Sequence, residues 1–490
     1  MVSSAHRFDG LAVREVRVPA RALSTLEPLI GPERSAELRH AAALAAEQLR
    51  GTTVWNVSST AAGGGVAEML QVLVGYILDA GVDVRWLVIS GDAEFYAVTK
   101  RIHNRLHGVA GDGGELGPAE AAHYAAVTAA NSTSAITLVR PGDVVLLHDP
   151  QTAGMSGPLD KAGARVVWRC HVGRDSTNEW TDQAWSFLRD HLAGCAGYVF
   201  SLRSYVPSFI DEARVWVIPP SIDPFSPKNQ PMADDEVIRT LRRIGMFGPS
   251  VTDSPGEFTR RDGTAGLVER RASIVSAGSA LDPGAPLVVQ VSRWDRLKDM
   301  AGVMRGFASG VPGRVDAHLA LVGPSTADVT DDPEGAEVFA ECVALWETLP
   351  AGARQRVKLV TLSMDDIDEN AAMVNALQRH ATVVVQKSLE EGFGLTVAEA
   401  MWKAKAVLAS NVGGIAEQIA PGTGLLLEDP TDLSVFGATL ADLLRRPDEI
   451  AVLGARARQH VLEGFVGDKH LMRYADLVGW LVSVGSDPAD

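Results

Sequence analysis

At 490 residues and 52.0 kDa the chain exceeds what one hydrophobic core usually organises, so two domains are expected. Hydrophobic residues at 46% and charged residues at 22% exclude a disordered chain, and 45 Lys plus Arg against 61 Asp plus Glu leave a net charge of −16, which argues against a nucleic-acid partner. Cys170, Cys195 and Cys342 are scattered without CxxC spacing and read as buried thiols in a reducing compartment; with no leader pattern and no apolar run of membrane length, a cytoplasmic protein without a membrane partner is expected.

From residue 50 onward, short β-branched runs alternate with longer amphipathic segments, the pattern of a parallel sheet covered by helices. The first half supplies strand candidates at TTVWNVSS from Thr52, VDVRWLVI from Val82, DVVLLHD from Asp143, ARVVWRCH from Ala164, GYVFS from Gly197 and RVWVIP from Arg214. Between the first two, Val66, Met69, Leu70, Leu73, Val74 and Ile77 fall on one helix face, and Gly81 suits that helix's end. A proline-rich stretch, PPSIDPFSPKNQPM, then reads as an interdomain hinge, and residues 248 to 286, rich in Gly, Ser, Asp and Pro, read as a mobile excursion.

The second half repeats the alternation with LVVQVS from Leu287, VDAHLALVG from Val315, RVKLVT from Arg356, TVVVQ from Thr382, KAVLAS from Lys405 and GLLL from Gly424. A second doubly wound domain is therefore expected, giving domains at 1–224 and 225–467. The last segment, 468–490, is helical by periodicity and is expected to run across the domain junction, back onto the first domain.

Three local patterns suit an anionic ligand. AAGGGVAE, with Gly64 and Gly65, lies between a strand and a helix, where backbone N–H groups favour negative charge, although a tight turn explains it equally well. VSRWDRLKDM puts Arg293 and Lys298 just beyond a strand end, the crevice where open α/β sheets bind ligands. EEGFGLTVAEAM combines Gly392 and Gly394, a helix starting near Leu395, and two carboxylates, Glu391 and Glu399, eight residues apart. Glu399 on its own also fits the bland role of a first-turn glutamate serving the helix dipole.

With its Glu-x7-Glu pair, the second half resembles the retaining GT-B glycosyltransferases of the glycogen-synthase and sucrose-synthase kind. NVSSTAAGGGVAEML, GDAEFYAVTKRIHNRLHG, LLHDPQ, VVWRCHVGRD and IPPSIDPFSPKN extend the likeness over nearly the whole chain to the trehalose glycosyltransferring synthases. The resemblance implies an α/β fold of GT-B type, with two doubly wound Rossmann-like domains facing a central cleft: an acceptor-side domain first and a nucleotide-sugar-binding domain second.

It further implies that Glu399 binds the ribose hydroxyls and Glu391 lies at the donor sugar. The backbone through Gly392, Phe393, Gly394, Leu395 and Thr396 would meet sugar hydroxyls and phosphate, and Arg293 and Lys298 would neutralise the diphosphate. Gly64 and Gly65 would lie under the donor phosphates, His171 beside the transferred sugar, and His148, Asp149 and Gln151 toward the acceptor. The implied donor is a UDP-, ADP- or GDP-linked glucose, the acceptor glucose, and the product trehalose, formed reversibly.

No Asp-x-Asp motif stands near the glycine loops, so no metal and no cofactor are expected. A homodimer is compatible with the sequence. Two other readings share the motifs: a retaining trehalose phosphorylase, which uses inorganic phosphate, and a catalytically silent sugar or nucleotide sensor.

Overall fold

A computed structural model describes residues 12–61, 65–249, 254–326 and 333–484. The chain divides into two compact units, one formed by Met1–Ser221 with Gly467–Asp490 and the other by Ile222–Val466.

The first unit is built on a sheet of β1 (Arg14–Val16), β2 (Val54–Ser58), β3 (Val84–Val88), β4 (Val144–His148), β5 (Arg165–Cys170), β6 (Gly197–Phe200) and β7 (Val215–Val217), in the order β1-β3-β2-β4-β5-β6-β7. From β3 to β7 the pairing is parallel. β2 and β4 are buried along their whole length, as mainly apolar strands covered on both faces are. Leu70, Leu73 and Val74 of the helix Gly65–Asp79 pack over Trp86, Leu146 and Val167, and Leu477 and Leu481 of the helix Gly467–Val484 join the same cluster. The segment read from sequence as a terminal helix is thus part of the first unit's core.

The second unit contains a hairpin of β8 (Glu257–Thr259) and β9 (Ala265–Leu267), and a sheet of β10 (Ser273–Val275), β11 (Leu287–Val291), β12 (His318–Pro324), β13 (Val357–Leu362), β14 (Val383–Gln386), β15 (Ala406–Ser410) and β16 (Leu425–Leu427). The sheet order is β10-β13-β12-β11-β14-β15-β16. Val288, Leu319, Leu359, Val383 and Leu408 form its core with Phe307 and Phe436 from the covering helices. Among the described residues no helix is long and apolar enough to cross a membrane.

The expected mobile excursion at 248 to 286 needs correction over its described part. Residues 257 to 267 form the hairpin, and β10 adds to the sheet edge with Ile274 opposite Val360. Charge holds the segment down: Arg260 pairs with Asp366 at 2.8 Å, Arg261 with Asp368 at 3.0 Å, and Arg270 with Glu369. Residues 250–253 lie outside the described residues.

In each sheet the chain leaves its starting strand in both directions, so the order reverses once. That switch lies between β2 and β4 in the first unit and between β11 and β14 in the second. Loops following the carboxyl ends of the two strands diverge there and leave room for a ligand. The loops concerned are the one that follows β2, of which residues 62–64 lie outside the described residues, the one opening on His148, the one carrying Arg293 and Lys298, and the one running from Lys387 to Gly394.

Candidate active site

In the second unit the two switch-point loops are joined by hydrogen bonds. Gln290 on β11 donates to the Lys298 carbonyl at 2.7 Å and accepts from the Lys387 N–H at 3.0 Å, while the Leu389 N–H donates to the Leu297 carbonyl at 2.7 Å. This frame places Lys298 Nζ 2.7 Å from Glu391 Oε1. Ser388 Oγ donates to Glu391 Oε2 at 3.0 Å. Both charged side chains are largely buried, 16% and 10% exposed, and each compensates the other's charge.

Behind them Gln386 is buried and shared: it donates to Ser292 and Ser388, each at 3.1 Å, and accepts from Thr396 Oγ1 at 3.1 Å. Arg293 stands apart in character. Its guanidinium is half exposed and lies 3.1 Å from the Asp295 carboxylate.

Gly394 caps the helix Leu395–Trp402 with φ +79°, a left-handed conformation that glycine adopts without strain. A Cβ there would also lie 3.0 Å from Glu391 Cγ. Phe393 rests directly on Gly414, where any Cβ would overlap the Phe393 backbone. Gln418 fastens the turn: its carboxamide accepts from the Ala398 N–H at 3.0 Å and donates to the carbonyls of Phe393 and Gly414.

Glu399 is the fifth residue of this helix, past the first turn, and is buried, so complementing the helix dipole does not account for it. Lys228, from the proline-rich stretch, reaches to 3.5 Å from its carboxylate. One turn on, the buried Lys403 donates to the Glu399 carbonyl at 3.0 Å, to Asn229 Oδ1 at 2.9 Å and to Gln378 Oε1 at 2.8 Å. Burial pushes the Lys403 ammonium down to about 7, opposed by the nearby Glu399 carboxylate.

In the first unit β4 ends on His148 and β5 is followed by His171. The two rings stack at 5.4 Å and 15°, with His148 Nδ1 3.1 Å from His171 Nε2. His148 Nε2 lies 3.0 Å from the Asn56 carboxamide, so both nitrogens of this buried ring are engaged by protein. Through these contacts His148 supports the His171 ring. Arg169, fully buried on β5, donates from Nε to His171 Nε2 at 3.2 Å and from Nη2 to the Ile218 carbonyl at 2.8 Å. Burial, then the Arg169 charge, holds His148 down at about 3, and the same causes hold His171 well below the usual imidazole range.

Asp149 has φ +63°, a conformation Asp tolerates better than most side chains. Its carboxylate accepts from the His171 N–H at 2.7 Å, and its carbonyl from Trp168 Nε1 at 3.0 Å. Burial raises the Asp149 carboxyl to about 7 against the lowering effects of that N–H and of Arg169. The native state thus keeps a proton that the unfolded chain loses near pH 4, so stability falls as pH rises from about 4 to about 7. Asp149→Asn keeps the acceptor oxygen and removes the titration. Its melting temperature should rise relative to wild type across that window and stay higher above it, by an amount equivalent to about 1 to 2 kcal/mol; a difference independent of pH would refute the shift.

Gln151 is partly buried, and its Oε1 has no hydrogen-bond partner among the described residues. Gly65 opens the helix Gly65–Asp79 with open space at its Cβ position, whereas Gly64 lies outside the described residues. Sequence reasoning did not single out Ser388, Gln386, Lys228, Arg169 or Asn56. Ser388 had a readable signal, a hydroxyl three residues before Glu391 in a tight loop. The others meet their partners only through the fold.

Residues 56–207 match the family described as trehalose synthase, N-terminal domain, and residues 276–460 match glycosyl transferases group 1. A trehalose synthase of Pyrococcus horikoshii is 33% identical over 473 residues, covering 96% of this chain and 99% of its own length. A trehalose phosphorylase of Pleurotus pulmonarius is 24% identical over 437 residues, covering 84% of this chain but only 55% of that enzyme. Among solved structures, a trehalose-6-phosphate protein from E. coli bound with UDP-2-fluoro glucose aligns with TM-score 0.65 at 13% identity, over 88% of this chain and 99% of that one.

Proposed function

We propose, for a chain that belongs to the trehalose synthase family of the group 1 glycosyl transferases, that a glucosyl group moves with retention from a nucleoside diphosphate glucose to free glucose, giving trehalose reversibly. The chain is a glycosyltransferase, and its two Rossmann-like sheets have the GT-B fold. The observation that carries the finer reading is the Lys298–Glu391 contact beside the glycine-capped helix at the β11/β14 switch.

In this mechanism the bond from the sugar C1 to the β-phosphate oxygen breaks as the acceptor hydroxyl bonds to C1 on the same face, and the hydroxyl proton passes to the leaving phosphate. The protein aligns the partners and compensates the charge that builds on the diphosphate. Lys298, Arg293 and the N–H groups opening the helix Leu395–Trp402 supply that compensation. Glu391 positions the donor sugar, Glu399 accepts from the ribose hydroxyls, and His171 attends the transferred sugar.

A carboxylate that holds ribose binds ground state and transition state about equally. Glu399→Ala should therefore raise the donor KM several-fold to about tenfold with a small change in kcat. An unchanged donor KM would remove Glu399 from the donor site. The function itself is tested by product analysis after supplying glucose with UDP-, ADP- and GDP-glucose in turn. Trehalose from at least one donor is expected. Glucose 1-phosphate from trehalose and phosphate alone would identify a phosphorylase instead, and binding without turnover a silent sensor.

A further inference from the structure

His171 Nε2 receives the Arg169 Nε–H at 3.2 Å and lies 3.1 Å from His148 Nδ1. A guanidinium has only N–H groups to offer and never accepts, so the nitrogen facing it must carry a lone pair. A neutral His171 ring therefore bears its proton on Nδ1, the reverse of the tautomer imidazole prefers in water. Nδ1 forms no hydrogen bond among the described residues, and the His171 side chain is only partly buried, so Nδ1 is the ring nitrogen left to meet a ligand.

We propose that Arg169 is a positioning residue: its buried guanidinium locks His171 in the Nδ1–H form, so that the open edge of the ring always presents a hydrogen-bond donor. The inference rests on the reading that His171 attends the transferred sugar, whose ring and hydroxyl oxygens would receive that N–H.

The other contacts of the cluster follow the same constraint. His148 Nδ1, facing a lone pair, is a donor, which makes its Nε2 an acceptor. The Asn56 carboxamide 3.0 Å away then turns its NH2 toward it, a half-turn that leaves the heavy-atom positions unchanged. Arg169 is itself fixed by the Ile218 carbonyl and by the Tyr474 ring, 5.6 Å from its Cζ. Both lie outside β5, so the guanidinium is held by the sheet and the helix Gly467–Val484 independently of any ligand.

The test is imidazole nitrogen NMR on the intact, histidine-labelled enzyme, with His171→Ala assigning the resonance. Wild type should show His171 protonated on Nδ1 and bare on Nε2. Arg169→Lys, which keeps a charged donor, should preserve that pattern, whereas Arg169→Met should move the proton toward Nε2 and slow transfer by about tenfold or more with the donor KM unchanged.

A wild-type His171 protonated on Nε2 overturns the proposal, and so does an Arg169→Met spectrum identical to wild type. If Arg169→Met does not fold, the wild-type and Arg169→Lys spectra still decide. Should the proton follow Arg169 while His171→Ala transfers glucose at the wild-type rate, the placement of His171 at the sugar fails and the tautomer lock stands.

Discussion

Lys298→Ala should lower turnover by about a hundred- to a thousandfold, the cost of one preorganised charge partner at a developing anion, about 3 to 4 kcal/mol. The loss has two parts. A cation disappears from the leaving group, and Glu391, 2.7 Å from Nζ in the intact pair, loses that compensating charge beside an incoming diphosphate. The second part is removed by neutralising the carboxylate, so Lys298→Ala with Glu391→Gln should cost clearly less than the product of the two single losses.

Arg293→Ala should cost less than Lys298→Ala, because its guanidinium is half exposed and already lies near Asp295. If these cations do the work of a divalent ion, activity should survive excess chelator. Normal turnover by Lys298→Ala, or activity abolished by chelator and restored by magnesium, would show this assignment of the leaving-group site to be wrong.

The second large effect is expected at a residue with no side chain. Gly414→Ala introduces a methyl group where the Phe393 backbone already lies, with the Phe393 carbonyl oxygen only 2.8 Å from the new Cβ. Neither backbone yields easily, since Gln418 ties both to the helix Leu395–Trp402. The turn through Gly392, Phe393 and Gly394 must move by a substantial fraction of an ångström, dragging Glu391 and the helix N-terminus with it.

We expect about 1 to 3 kcal/mol of lost stability from overpacking and a donor affinity weaker by about tenfold to a hundredfold, since catalytic and binding geometry tolerates little displacement. Thermal unfolding with and without nucleoside diphosphate measures both. A variant that binds the donor like wild type would mean the Phe393 turn does not touch it.

What the sequence revealed of the fold follows from periodicity. Each long parallel strand came from an apolar run, because β2, β4, β13 and β15 are covered on both faces. β1, β8, β9 and β10 are three-residue edge or hairpin strands with mixed exposure, too short to show an alternation and stabilised by partners distant in the chain.

At the site, the two glycine loops and Lys298 stood out because strand ends and glycine are local signals. That Lys298 meets Glu391, 93 residues away, depends on β11 and β14 being neighbours. Arg169 was hidden for a different reason. It looks like the outward-facing member of a strand, yet both faces of β5 are covered, and its charge is turned inward against His171.

The helix Gly467–Val484 completes a core that begins near Leu49, so the first unit contains residues from both sides of the whole second unit. On the ribosome, everything from Ile222 to Val466 must be synthesised before Leu477 and Leu481 can reach Val54 and Leu146. At ordinary elongation speeds that delay is about ten seconds or more. When it ends the second unit has its full sequence and the first still lacks its last helix. The nascent β-sheet of the first unit must wait with one apolar face only partly covered, by the helix Gly65–Asp79, which makes it the part of the chain most in need of a chaperone's protection.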